Sequence, residues 1–183
     1  MDNRTKRSSE VFDSEVRIAI INSKTVALEL LNNFITIEHL FLGMLRVEDA
    51  KFRNGITINW ARIEGGVIQI VKRTNPPQER ERQSYHSMPL LSSCENVLRA
   101  AVLGCHLSGR IKVTTQDLLL TIIKRKGPVK ELLRKEGLNY NGIYSAYDNC
   151  KSKLPDVMVY RADVSPMQAF ILQLRIFYYL YLK

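Results

Sequence analysis

Residues 35–45 read ITIEHLFLGML, and a shift of 78 positions lays them onto VTTQDLLLTII at residues 113–123. One Thr and two Leu coincide, and most of the apolar positions agree in character. The same shift aligns a set of apolar or small residues spaced by three and four: Phe12, Val16, Ile20, Ser23 and Ala27 fall on Leu90, Cys94, Leu98, Ala101 and Cys105. Such spacing is helical, so the sequence predicts two similar helical units.

The two units predict the same order of helices. A first helix covers about residues 13–32 and again about 91–108, and the small residues on its buried stripe allow a second helix to pack closely. That second helix begins at Thr36 in one unit and at Thr114 in the other. Their hydroxyl groups can accept hydrogen bonds from the free amides of the first helical turn. These two helix starts are therefore the best defined points of the predicted fold.

Later in each unit, a glycine ends the connecting segment before another helix. Gly55 and Gly137 have this position, and the helix that follows carries Trp60 and Val67 in the first unit but is weaker in the second. The first unit is about four residues shorter between residue 45 and its glycine than the second unit is after residue 123. Its short connecting helix is therefore predicted to be trimmed.

No alternating strand pattern of useful length occurs, so the predicted fold class is all-α, a compact bundle of two helical repeats with an added C-terminal helix. Adjacent prolines within a polar segment mark a linker between the units. The predicted organisation is a polar arm (1–11), repeat 1 (12–72), a linker (73–89), repeat 2 (90–147), and a tether with an apolar helix (148–183).

The formal net charge of +9 is concentrated in the second half of the chain. Residues 1–91 carry 13 Lys and Arg against 11 Asp and Glu, whereas residues 92–183 carry 14 against 7. A basic patch is predicted within the second unit, formed by Arg110, Lys112, Lys124, Arg125, Lys126 and Lys130. A solvated surface explains it better than a nucleic-acid site, because no aromatic-interleaved RNA motif or zinc-finger spacing accompanies it.

Several function classes have no support. Three cysteines without a CxxC spacing indicate reduced thiols, and the histidines lack the HExxH spacing of a metalloprotease. The segment GCHLSGRI at 104–111 lacks the Lys and Ser or Thr of a phosphate-binding loop. We therefore expect no enzyme, no metal and no cofactor.

The ends of the chain carry no targeting or membrane signal of the usual kind. The N-terminus has no apolar stretch behind its charges, which favours a cytoplasmic location. The apolar run at 167–182 is shorter than the roughly twenty residues that cross a bilayer. We expect it to be a buried or partner-facing helix.

The two copies of the 35–45 pattern resemble the Clp N-terminal (Clp repeat) domain at the head of Hsp100/Clp AAA+ unfoldases, over about residues 12–147. The segment at 35–45 looks like the family's TEHLLLGLL signature, and the copy at 113–123 is a degenerate version. The resemblance implies two pseudo-twofold-related units that bind substrate segments or adaptor proteins without catalysis. The ATPase modules of the family have no counterpart in these 183 residues.

In the Clp-C-like branch, the resemblance implies that the signature glutamate helps to bind basic or phosphorylated-arginine side chains. Glu38 keeps that glutamate, whereas Gln116 replaces it in the second copy. Glu38 is equally explained as a favourable charge in the first turn of a helix. The candidate peptide- or adaptor-binding residues are Phe12, Asp13, Glu38, Leu91 and Gln116.

Two functional hypotheses therefore remain. The first is a non-catalytic recognition module for a Clp-type ATP-dependent unfoldase or protease, acting as an accessory protein, a regulator or an N-terminal fragment, with protein partners. The second is a basic all-α protein that binds nucleic acid or an acidic partner through the basic patch. We favour the first and disfavour a nucleic-acid partner.

Overall fold

The computed structural model of the chain describes residues 11–76 and 88–151, and all regular secondary structure in these two stretches is helical. The first stretch holds α1 (Ser14–Glu29), α2 (Ile37–Leu45), a 3₁₀ helix (Lys51–Arg53) and α3 (Trp60–Thr74). The second holds α4 (Ser92–Leu107), α5 (Thr115–Lys124), α6 (Pro128–Lys135) and α7 (Tyr140–Lys151). The all-α fold class is confirmed. The predicted helix at 167–182 lies outside the described residues.

α2 and α5 begin where their capping threonines predict. α4 and α5 start 78 positions after α1 and α2, so the repeat is kept to the residue. Thr36 and Thr114 are the N-cap residues of α2 and α5, and each forms a capping box with the third residue of its helix. Asp13 caps α1, because its carboxylate accepts a hydrogen bond of 2.8 Å from the amide of Val16.

Short lead-in segments, residues 11–13 and 89–91, join the two units by reciprocal backbone pairing. Residues 11–13 pair with Val113 of the second unit, through Asp13 N to Val113 O at 3.0 Å and Val113 N to Val11 O at 2.8 Å. Residues 89–91 pair with Ile35 of the first unit, through Leu91 N to Ile35 O and Ile35 N to Pro89 O, both at 2.9 Å. These bonds exchange places under the 78-residue shift, so the two units are related by a pseudo-twofold axis.

The two units share one hydrophobic core. Its cluster of buried residues includes side chains from every described helix of both repeats. The largest side chains that are almost fully buried are Leu40, Phe41, Leu42, Met44, Phe52, Ile63, Leu118, Leu119, Leu133 and Ile143. Burying a Leu, Ile or Phe side chain contributes about 1.5–3 kcal/mol, and the contributors come from both units. Neither unit therefore completes this core without the other.

α1 and α2 pack backbone against backbone at Gly43. A Cβ atom added at Gly43 would lie 2.3 Å from the carbonyl oxygen of Ala19 and 2.6 Å from the amide nitrogen of Ser23. Ser23 and Ala27 on the facing stripe of α1 are fully buried, as the small-residue pattern predicts. In the second unit Thr121 occupies the position of Gly43, so α4 and α5 do not meet in the same way.

The units differ in the connecting segment, and two helix ends differ from the prediction. The connection before Gly55 holds only the 3₁₀ helix, whereas the second unit has the eight-residue α6. α1 ends at Glu29 and not near residue 32 as predicted, because Leu31 adopts a left-handed conformation (φ 56°), where its counterpart Gly109 has φ 69°. α3 continues to Thr74, two residues into the stretch assigned to the linker.

We predict that Gly43→Ala is strongly destabilising. The new Cβ meets main-chain atoms that cannot move aside without separating α1 from α2, which costs about 1–3 kcal/mol or more. Gly104→Ala in α4 is the matched control, because nothing lies within 4 Å of a Cβ built there. It should be neutral or stabilise the fold by up to about 1 kcal/mol, since alanine is the better helix former. Urea unfolding followed by circular dichroism compares them, and equal midpoints for the two variants would contradict the close packing.

Candidate functional site

α2 begins beside α4, and α5 begins beside α1, because the backbone pairing of the lead-in segments brings these helix starts together. This places the five candidate residues in two separate corners of the bundle. Glu38 and Leu91 lie at the start of α2 and α4, and Phe12, Asp13 and Gln116 lie at the start of α5 and α1. The pseudo-twofold axis relates the two corners, so they can be compared position by position.

The corner at the start of α2 is acidic and apolar. Glu38 is the second residue of α2 and is half-buried, and its carboxylate accepts no hydrogen bond from the described part of the chain. Leu91 is 43% exposed, and its side chain cannot cap α4. Glu95, in the first turn of α4, pairs with Arg99 at 3.3 Å. An acidic surface with an exposed leucine can accept a basic, partly apolar segment.

The Cys94 thiol lies beneath this corner, close enough for the charges of Glu38 and Glu95 to affect its pKa. Burial, together with the negative charges of Glu38 and Glu95, raises the pKa of Cys94 to about 12. Cys94 is fully buried, and its thiol therefore stays protonated at neutral pH. The expectation of a reduced cysteine with a structural role agrees with this environment.

The corner at the start of α5 uses its polar groups internally. Glu15 accepts hydrogen bonds from Thr115 Oγ1 at 2.9 Å and from the Lys51 amide at 3.1 Å, and it pairs with Lys51 Nζ at 3.2 Å. The Gln116 amide donates to the Lys51 carbonyl at 3.3 Å. This corner therefore binds the 3₁₀ helix of the first unit and is less available to a ligand than the Glu38 corner.

Asp13 belongs to the same corner, where it caps α1. Partial burial raises the pKa of the Asp13 carboxyl, while the hydrogen bond from the Val16 amide lowers it. Phe12, the neighbouring residue, is half-buried beside Val113. Both residues therefore have structural contacts that account for their types.

Most of the basic patch proves to be engaged or dispersed. Arg110 forms two hydrogen bonds with Asp117, at 2.8 and 2.5 Å, and their charges compensate each other. Lys124 lies over the Tyr140 ring with its nitrogen 4.7 Å from the centroid, and Arg125 donates to a backbone carbonyl of α4 at 3.4 Å. Lys112 and Lys126 are exposed in loops and Lys130 lies on α6, so the six residues do not form one free cationic surface.

Two buried polar residues of the first unit were not predicted from the sequence. His39 and Asn32 occupy the positions of Asp117 and Arg110, and both are buried. His39 Nδ1 accepts from the amide of Thr36 at 3.1 Å, so Nε2 carries the proton. Neither His39 Nε2 nor Asn32 Oδ1 has a hydrogen-bond partner in the described part of the chain. Burial lowers the pKa of His39 to about 4. The sequence signal was the position of His39 three residues after a threonine cap.

Within residues 11–76 and 88–151, no three His, Cys, Asp or Glu side chains come together as a metal site. None of the helices described there is both long and apolar enough to span a bilayer.

Comparison with known proteins gives one family and one fold. Residues 11–136 match the family model of the Clp repeat (R) N-terminal domain. The structure is similar to the N-terminal domain of the caseinolytic protease associated chaperone ClpD from Arabidopsis thaliana, with 22% identity, a TM-score of 0.61, and coverage of 78% of this chain and 96% of that one. It also resembles the Hsp104 N-terminal domain from Candida albicans, with 14% identity, a TM-score of 0.65, and coverage of 79% and 94%. No curated protein sequence matches the chain.

We predict that His39 makes the fold sensitive to acid. Its folded pKa of about 4 lies below the ordinary 6.5, so between these values the unfolded chain binds a proton that the folded chain does not. Stability is therefore complete above pH 6.5 and falls as the pH approaches 4, by up to about 3 kcal/mol from this residue. Urea unfolding at several pH values measures the loss.

The matched variants are His39→Gln and His106→Gln. Glutamine at position 39 keeps an acceptor for the Thr36 amide but removes the titrating ring, so the loss between pH 6.5 and 4 should shrink. His106 is half-buried in α4, and replacing it should leave the loss unchanged. An equal pH dependence in wild type and His39→Gln would show that His39 does not control it.

Proposed function

The chain belongs to the Clp repeat (R) N-terminal domain family, and from this premise we propose that it recognises protein segments for a Clp-type ATP-dependent unfoldase or protease. The domains of this family are the non-catalytic substrate- and adaptor-binding modules of Clp and Hsp100 unfoldases. The chain acts as an accessory protein, a regulator or the N-terminal part of such a machine. We place it in the cytoplasm. Its ligand is a segment of a substrate or an adaptor, and it contributes no catalytic step.

The state of Glu38 is the observation that supports this proposal best. The other acidic groups of the two corners are engaged: Asp13 caps α1, Glu15 binds Lys51 and Thr115, and Glu95 pairs with Arg99. Glu38 has no such partner in the described part of the chain, although it is half-buried. A half-buried glutamate without a cation among the described residues is a favourable place for one supplied by a ligand.

The surroundings of Glu38 define the class of ligand. The carboxylate of Glu38 attracts a lysine or arginine side chain, and the exposed Leu91 offers an apolar contact beside it. The second corner differs, because the neutral amide of Gln116 cannot compensate a guanidinium and already donates to Lys51. We therefore propose one basic-residue site and not the two that a fully symmetric domain would have.

The competing function is a nucleic-acid or acidic-partner binder that uses the basic patch. Arg110 is neutralised by Asp117 and Lys124 contacts the Tyr140 ring, which leaves fewer free cations than the sequence suggests. Binding through several phosphates would make the affinity fall steeply with salt. A salt titration with single-stranded DNA tests this alternative, and we expect weak binding.

We predict that Glu38→Gln weakens the binding of a short fluorescein-labelled peptide that contains arginine and leucine. The substitution replaces a charge-assisted contact by a neutral one, and a loss of about 1 kcal/mol raises the Kd by roughly fivefold. Fluorescence anisotropy measures the Kd, and circular dichroism checks that the helix content is unchanged.

The matched control is Glu48→Gln, which makes the same change of charge at an exposed position after α2. It should leave the Kd unaltered within about twofold. A Kd that is unchanged in Glu38→Gln would reduce Glu38 to a charge that favours the helix start. An equal loss in both variants would mean that the peptide senses only the overall charge.

A further inference from the structure

A cationic groove lies between α3 of the first unit and α6 of the second, away from both helix-start corners. The two helices run antiparallel, joined at one end by the Arg62–Glu136 ion pair at 3.3 Å. In the middle, a Cβ added at Gly66 would lie 2.9 Å from a methyl group of Leu132, so the glycine allows close packing there. The helices border an open groove of about 810 Å³, which Gly66 and Leu132 also line.

The volume and lining of this groove suit a peptide segment. Pockets that bind ligands commonly measure about 300–1,000 Å³, so a few side chains fit. Ile70, Leu132 and Pro128 supply apolar surface. None of the lining residues is aromatic, so the groove has no platform on which nucleic-acid bases would stack.

The charged side chains of the groove are predominantly basic. Lys72, Arg73 and Lys135 line it, and none of them forms an ion pair with the described part of the chain. Glu131 also lines the groove, but Arg134 neutralises it through contacts of 3.1 and 3.0 Å. The surface that remains is cationic at its rim and apolar at its floor.

The groove arises from the asymmetry between the units. Under the pseudo-twofold axis, α7 corresponds to α3, and the 3₁₀ helix corresponds to α6. The connecting segment of the first unit is shorter and holds the 3₁₀ helix in place of an α-helix. There the Tyr147 hydroxyl donates to the Phe52 carbonyl at 2.7 Å and joins the two elements directly. The α3–α6 groove therefore has no equivalent between α7 and the 3₁₀ helix, which this hydrogen bond joins.

We propose that this groove binds an acidic peptide segment that carries at least one apolar side chain. Lys72, Arg73 and Lys135, which form no ion pair within residues 11–76 and 88–151, complement its carboxylates, and the floor of Ile70 and Leu132 accepts the apolar group. The inference rests on the proposed function only in that the ligand is a protein. It uses none of the residues of the Glu38 corner and adds a second site of opposite charge.

The test uses a fluorescein-labelled peptide of aspartate, glutamate and leucine, read by anisotropy. Lys72→Glu combined with Arg73→Glu should weaken its binding at least about tenfold, because two attractive charges become repulsive. Lys112→Glu combined with Lys126→Glu makes the same change of net charge at exposed loop positions outside the groove. This control should change the Kd by less than about threefold at moderate salt.

A steric variant tests the groove without changing its charge. Gln69→Trp places a large side chain at an exposed lining position and should also weaken binding of the acidic peptide. Thermal unfolding of each variant shows that the fold is retained. If the wild type does not bind the acidic peptide, or the control variant loses as much affinity as the groove variant, the inference is wrong.

Two further measurements separate the possible occupants and sites. A single-stranded oligonucleotide of equal charge should compete poorly, and competition as strong as that of the acidic peptide would assign the groove to nucleic acid and overturn the proposal. Glu38→Gln should leave binding of the acidic peptide unchanged. Failure of the arginine-peptide experiment with retained acidic-peptide binding would therefore overturn the Glu38 site alone.

Discussion

The reciprocal backbone pairing between the lead-in segments and the opposite units is the constraint on which the rest of the structure depends. Four hydrogen bonds connect residues 11–13 with Val113 and residues 89–91 with Ile35. Since α1 and α4 begin directly after the lead-in segments, and α2 and α5 begin two residues after Ile35 and Val113, the pairing fixes four helix starts at once. It also brings the positive ends of helices from different units together, where the helix dipoles favour the acidic first-turn residues Glu15, Glu38 and Glu95.

The pseudo-twofold axis gives the chain two versions of each local environment, and the two versions carry different side chains at several equivalent positions. Gly43 lets α1 touch α2 where Thr121 stands in the second unit, and the buried His39 occupies the position of the ion-paired Asp117. The shared backbone pairing tolerates these changes because it needs main-chain groups only. Different side chains on one scaffold therefore produce one corner with internally bonded polar groups and one corner whose Glu38 carboxylate has no ion-pair partner among the described residues.

Sequence patterns predicted the helix starts well, because a threonine hydroxyl before an apolar run has few other roles. The end of α1 was missed, since Leu31 takes a left-handed conformation that sequence reasoning reserves for glycine. The pairing of Arg110 with Asp117 was not predicted, because it depends on the loop between α4 and α5. The α3–α6 groove could not be predicted at all, because its lining comes from helices more than fifty residues apart.

The polar groups that the fold leaves unused are the strongest guide to function in this chain. A capped helix start, a neutralised arginine and a lysine on an aromatic ring each have a structural role that accounts for the residue. Glu38 and the cations of the α3–α6 groove have no such partner in the described residues, and they lie on surfaces of opposite charge. Two surfaces of opposite sign on one rigid bundle favour ligands that differ in charge, or one ligand with segregated charges. The net charge of +9 therefore says less about the partner than its division between these surfaces.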